Sequence, residues 1–255
     1  MLKCRYPFRL SIAMTPSLIT STLAPLGKLR ATINIGNPVL AGMAAGAAEP
    51  HGVSVDIARE LARRLGVPVE FVICATAARA IEAVKVGACD ITFLAVDPAR
   101  AVDIDYAAPY VVIAGAYMVR QDSALTDNTE VDRPENRVAV GKGSAYDLFL
   151  SREIKHATLV RFNSSQEVVD GFMSQALEVA AGVKQQLEAD ARRVPGLRLL
   201  PGQFMQIRQA IGAPKGREGA AGYLLAFIEE LKAAGFVAAA LRRHGIEGAA
   251  VAPPT

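Results

Sequence analysis

SVDIARELARRLGVPVEFVICATAARAIEAVKVGACDITFLAV, residues 54–96, carries two alternating patterns. From Ser54 to Leu65, Ile57, Leu61 and Leu65 recur every four residues, and Ala58 and Ala62 widen the stripe. That spacing makes one apolar face on a helix. Ser54 stands where a cap belongs, and Asp56 sits near the positive end of the helix. Gly66 supplies a stop and Pro68 forbids continuation. Val67 to Ile73 is a β-branched run that reads as a buried strand. Ala77 to Val86 is a second helix stopped by Gly87, and Ile91 to Val96 is a third strand if Leu29 to Ile35 is the first. The order β-α-β-α-β predicts a parallel sheet with right-handed crossovers.

The chain continues from this unit into Cys89 to Tyr110. The strand ends at Val96 and Asp97-Pro98-Ala99-Arg100 follows, read as a short helix start: Asp caps well, and Pro is tolerated at the first position. Unpaired N–H groups at such a start attract anions, and Arg100 adds a planar donor fork. Residue physics alone supports two readings, a carboxylate site or an ordinary turn with a surface arginine, and favours the second. Upstream, Leu40 to Gly52 is a loop of small residues after Gly36-Asn37-Pro38.

A polar stretch from Arg120 to Asn136 marks a boundary near residue 120, and a second α/β set follows. It comprises a strand at Val138 to Val140, a helix from Ala145 to Ile154, a strand at Thr158 to Phe162 and a helix capped by Ser164 or Ser165 and reaching Ser174. A strand at Leu177 to Ala181, a helix at Lys184 to Arg193 and extended runs at Leu197 to Leu200 and Phe204 to Ile211 come next. Helices at Gly219 to Ala233 and Phe236 to His244 close the set, and the tail from Gly248 looks loose. Gly141-Lys142-Gly143-Ser144 lacks the GxxxxGK[ST] spacing of a phosphate loop, which leaves a glycine turn opening a helix.

With 255 residues, 51% of them apolar and 21% charged, the chain is globular. A net charge of +3 without a run of basic residues and interleaved aromatics gives no nucleic-acid signal. No stretch approaches the roughly 20 apolar residues of a membrane span. Cys4, Cys74 and Cys89 have no metal spacing, and Cys74 and Cys89 fall at opposite edges of a parallel sheet, so no disulfide is expected. His51, His156 and His244 lack catalytic neighbours and read as solvated. Lys3, Arg5 and Arg9 precede a diluted apolar segment, an unconvincing export signal. Met14 is an alternative start, with Ser17 to Leu23 as a short helix.

Four segments together resemble bacterial solute-binding proteins of family 3, the polar amino-acid binders of ABC transporters. They are Gly52-Val53-Ser54-Val55-Asp56-Ile57-Ala58 through Leu65-Gly66-Val67-Pro68-Val69-Glu70-Phe71-Val72; Ala83-Val84-Lys85-Val86-Gly87-Ala88-Cys89-Asp90; Asp97-Pro98-Ala99-Arg100 with Tyr106-Ala107-Ala108-Pro109-Tyr110; and Ala226 to Phe236. The resemblance spans Leu29 to Gly245. It implies an α/β periplasmic-binding-protein type II fold of two lobes, each a mostly parallel sheet flanked by helices. Lobe 1 would be residues 27–118 plus 209–247 and lobe 2 residues 119–208, with hinge strands near 115–120 and 204–208.

The resemblance also implies a site. Arg100 matches the arginine that clamps the ligand carboxylate, Ala95 contributes a backbone N–H, and Asn37, Val96 and Asp97 stand beside them. Gly143-Ser144-Ala145 matches the opposing jaw. Three departures stand out. Asp97 replaces the usual Thr. The loop after the first strand lacks stacking aromatics. The acidic residue that pairs with a ligand ammonium is replaced by Gly182 or Val183 in Glu178-Val179-Ala180-Ala181-Gly182-Val183. A carboxylate ligand without a standard ammonium site is therefore expected, with Asp97 either supplying the missing charge or pairing with Arg100. The implied function is non-catalytic binding of a small amino-acid-like or organic acid, without metal or cofactor. The protein would be a monomer that presents its ligand to an ABC permease from the periplasm. The rivals are a prephenate or arogenate dehydratase, with Glu178 or Asp97 as proton donor, and a cytoplasmic ligand sensor.

Overall fold

The computed structural model describes residues 16–255. The putting of Lys3, Arg5 and Arg9 to use in export, the start at Met14 and any role of Cys4 therefore lie outside the described residues. The chain opens with helix α1 (Pro16–Leu23) and strand β1 (Leu29–Asn34). Helix α2 (Val53–Leu65), strand β2 (Val69–Cys74), helix α3 (Ala77–Lys85) and strand β3 (Thr92–Ala95) complete the expected β-α-β-α-β unit. Gly66 closes α2 in the left-handed conformation at φ 69°, returning its N–H to the last turn. Ser54 does not cap α2. The cap position is Gly52, at φ 124°, where an added Cβ would lie 2.4 Å from the Leu40 carbonyl oxygen. Ser54 is the second residue of the helix, and its hydroxyl shares a buried 2.9 Å hydrogen bond with that of Tyr110.

β1 and β2 pair in parallel, and Ala31 bridges to Ile91 beside β3. β2 is half-buried or exposed from Val69 to Ile73 and buried only at Cys74, as an edge strand with one partner, which corrects the buried reading of Val67 to Ile73. No helix follows β3. Residues 98–103 form successive turns, with Arg100 and Ala101 N–H groups both donated to the Asp97 carbonyl. Asp97 still caps this turn, taking the Ala99 N–H at 2.9 Å.

Strand β4 (Ile104–Arg120) then runs for 17 residues. β5 (Arg137–Gly141), α4 (Ala145–Glu153), β6 (Thr158–Phe162), α5 (Val168–Ser174), β7 (Val179–Val183), α6 (Lys184–Arg193) and β8 (Leu197–Leu199) follow. β9 (Met205–Pro214), α7 (Ala220–Ala233), α8 (Phe236–Arg243) and β10 (Ala250–Val251) end the chain. Neither Ser164 nor Ser165 caps α5, which starts after Glu167. The Ser165 hydroxyl bonds to Tyr146 instead. The tail is not loose: β10 pairs antiparallel with Val111 and Val112 of β4.

The architecture is a two-lobed α/β fold with mixed sheets flanked by helices. β5 pairs in parallel with both β6 and β7, whereas β4 is antiparallel to β7 and β9, and β9 to β3. The first lobe's core gathers Leu29, Ile33, Ile57, Leu61, Leu224 and Ile228. In the second lobe Val138 and Val140 face one apolar cluster and the intervening Ala139 faces another, as the two-residue period of a strand requires. Each buried aliphatic side chain contributes roughly 1.5–3 kcal/mol relative to exposure. β4 serves both lobes, with Val111 and Ile113 in the first core and Tyr117 and Val119 in the second.

Asp90 ties the first lobe together. Wholly buried, it takes a forked pair of bonds from Arg30 and a 2.8 Å bond from Arg217 just before α7. Cys74 and Cys89 are free thiols sharing one small apolar cluster beneath α3, not lying apart at opposite sheet edges. His244 is not a solvated residue either. Its ring nitrogen lies 2.9 Å from the Asp56 carboxylate.

Candidate ligand-binding site

The parallel strands of both lobes end at one cleft. Asn34 and Gly36 follow β1, Ala75 to Ala77 follow β2, and Ala95 ends β3; Lys142 to Tyr146 follow β5, Ser164 to Gln166 follow β6, and Val183 ends β7. Ligands in open α/β sheets bind at such carboxyl ends, where loops and helix starts converge. The cleft encloses a cavity of about 50 Å³.

Arg100 is the group that defines it. The expected surface arginine is 4% exposed, because the opposite lobe covers it. Its guanidinium donates to the Ala95 carbonyl at 3.0 Å within its own lobe and to the Gly143 carbonyl at 2.8 Å across the cleft. Tyr106 shares the Ala95 carbonyl at 3.1 Å, and burial pushes its phenol up to about 12. Burial likewise lowers the Arg100 pKa, against the pull of Tyr106 and Asp97. Among the described residues no carboxylate comes within ion-pair distance of Arg100. A buried guanidinium whose hydrogen-bond acceptors are carbonyl oxygens can pair with an anion.

The opposing jaw is the start of α4. Gly143 adopts φ 71°, Ser144 caps the helix by accepting the Asp147 N–H at 3.0 Å, and the Asp147 carboxylate takes the Gly143 N–H at 2.8 Å. The Ser144 N–H goes to the Gly141 carbonyl. The N–H groups of Gly143 and Ser144 are thus spent. What α4 can offer an anion is its first turn, at Ala145 and Tyr146, and the positive end of its dipole.

The other expected site residues divide. Asn37, Ala95, Arg100, Ser144 and Ala145 line the cavity. Gly143 touches Arg100 but does not line it. Val96 is exposed at the strand end, donates its N–H to the Arg208 carbonyl and does not line the cavity. Of the two residues offered for the acidic position, Gly182 faces Leu187 in the second lobe's core and Val183 lines the cavity. Asp97 neither lines the cavity nor pairs with Arg100. Its carboxylate bonds Arg152 of α4 at 2.8 Å, across the cleft. Glu178 is bound forkwise by Arg137 on the far side of β7 from the cleft lining.

Sequence reasoning missed Thr76, Lys142, the Ser164 to Gln166 loop, Gln186 and Gln209. All but the last two follow a parallel strand, and that rule, applied to both lobes, finds them. The buried Gln209 needs the β3–β9 pairing, since it sits opposite Ala95.

A sequence model of bacterial extracellular solute-binding proteins, family 3, matches residues 35–246. No curated protein matches the chain. Among solved structures, the solute receptor for L-cysteine of Neisseria gonorrhoeae is similar over 92% of this chain and 95% of its own, at 24% identity and a TM-score of 0.75. A cysteine-binding protein from Campylobacter jejuni is similar over 89% and 92%, at 19% identity and a TM-score of 0.74. An ancestral amino acid-binding protein, a precursor of cyclohexadienyl dehydratase, is similar over 88% and 97%, at 19% identity and a TM-score of 0.74. At these identities the likeness speaks for the fold, and the family match carries membership: the chain belongs to family 3 of the bacterial extracellular solute-binding proteins.

Proposed function

We propose that this protein binds a small carboxylate-bearing solute between its lobes, without covalent chemistry, and hands it to an ABC-type permease on the outer side of the cytoplasmic membrane. The observation that carries the reading is Arg100, buried on the cavity wall with two carbonyl partners and, among the described residues, no carboxylate within ion-pair distance. β4 and β9, with Phe204 stacked 4.2 Å from Tyr117, serve as the hinge. Domain ranges of 27–118 plus 209–247 and 119–208 suit that hinge. Replacing Arg100 by Ala removes the charge-assisted contact, at roughly 1.5–3 kcal/mol. Calorimetry on the full chain should show binding weakened at least tenfold, and unchanged affinity for a bound acid would remove the assignment.

The dehydratase reading draws on the ancestral relative named above. Its two candidate donors, Asp97 and Glu178, are each held by an arginine and stay off the cavity wall. An absorbance assay with prephenate or arogenate tests it directly. Mass spectrometry of the mature N-terminus separates export from a cytoplasmic sensor.

A further inference from the structure

We infer that the ligand is a short hydroxy acid and not an amino acid, a conclusion that rests on the carboxylate reading of the cavity. An α-amino acid brings an ammonium group, and a buried ammonium needs a carboxylate or an aromatic face. No Asp or Glu lines this cavity or the hollow beside it among the described residues; the cavity's aromatic is Tyr146, whose hydroxyl is engaged by Ser165 at 2.8 Å, and Phe93 and Tyr110 line the hollow. The two acids nearest the cleft are already satisfied. Asp97 spends one oxygen on the Ala99 N–H and the other on Arg152. Asp147 divides its oxygens between the Gly143 N–H and Arg161.

The charges that do line the cavity, Arg100 and Lys142, are both positive. A zwitterion would set its ammonium into a positive field with nothing to offset it, whereas an acid with a neutral substituent would not.

The neutral substituent has a place to go. Asn37 presents a side-chain oxygen that is buried and has no hydrogen-bond partner. Asn34, Asn37 and Gln209 line both the main cavity and a smaller hollow of about 10 Å³ that continues from it towards Ser54 and Tyr110. These amides suit a hydroxyl, which donates to Asn37 and accepts from an amide N–H. The cavity is small, about 50 Å³, which favours a short acid.

The test is titration calorimetry of the full chain with matched pairs that differ only in the second substituent: glycolate against glycine, L-lactate against L-alanine, and glycerate against L-serine. The hydroxy acid of at least one pair is expected to bind tenfold or more tightly than its amino partner. Asn37→Asp, which places a carboxylate where the ammonium would sit, should shift that ratio at least tenfold towards the amino acid. Tighter binding of the amino acids by the native chain overturns the inference but leaves the carboxylate reading standing, provided Arg100→Ala abolishes it. Binding of neither member of any pair overturns both.

Discussion

Asp97→Asn is the most informative substitution in this molecule, because Asp97 belongs to the first lobe and its partner Arg152 to the second. The carboxylate is 4% exposed and meets the Arg152 Nη2 at 2.8 Å, while the Arg152 side chain is 42% exposed. The Asn variant keeps its volume and can still accept the Ala99 N–H, so the turn before β4 stays capped. What disappears is the charge of a cross-lobe ion pair. Charged hydrogen bonds contribute about 1.5–3 kcal/mol and fully exposed pairs about 0–1, so a half-exposed pair should contribute about 1–1.5 kcal/mol to closure. That corresponds to roughly a five- to tenfold loss of affinity, since apparent affinity scales with the population of the closed form. The loss should lie in the dissociation rate, because the contact forms only after the lobes meet. Stopped-flow binding of Asp97→Asn, Arg152→Gln and the double variant measures it. Both singles should accelerate release by similar factors, the double should add little more, and added salt should narrow the gap from the native chain. Strictly additive singles, or an effect confined to the association rate, would refute the latch.

Asp90→Ala should cost roughly 3–5 kcal/mol of unfolding free energy, because it strands the guanidinium groups of Arg30 and Arg217 together without their shared counter-charge; denaturant midpoints check this. Burial pushes the Asp90 carboxyl up, yet the bonds from Arg30 and Arg217 outweigh it and hold the group below its usual range. A carboxylate depressed in the folded state stabilises it above the unfolded value of about 3.9, and that share is lost as pH falls further, so native and Asp90→Asn unfolding curves should converge below about pH 4. Burial raises the Cys89 thiol to about 12, and Cys74 is raised for the same reason. In a Cys4→Ser background both should resist a thiol reagent at pH 8 and react on unfolding; rapid labelling of the native chain would contradict the buried cluster.

The elements that could be read from the sequence are those set by neighbours along the chain. Thr158–Phe162 and Lys184–Arg193 match the expected ranges residue for residue, because the period changes from strand to helix at their borders. Readings failed where the deciding partner is far away. Ser54 has the chemistry of a cap, but Tyr110, 56 residues on, takes its hydroxyl. Of β4 only the end near 115–120 is expected as a strand, and Pro109 argues against one continuous strand; register shifts on either side of Pro109 let the strand carry a residue that cannot donate to a ladder. The resemblance left Gly182 or Val183 at the acidic position, and alternation along β7 decides between them by turning Val183 to the cavity.

The same cause hid the character of Arg100. Its own turn leaves it looking like a surface charge, whereas in the fold it bonds Ala95 within its own lobe and Gly143, just before α4, across the cleft. On the proposed reading two contacts divide the work of closure: the Asp97–Arg152 pair would hold the lobes together, and a ligand carboxylate would offset the desolvation of the buried guanidinium.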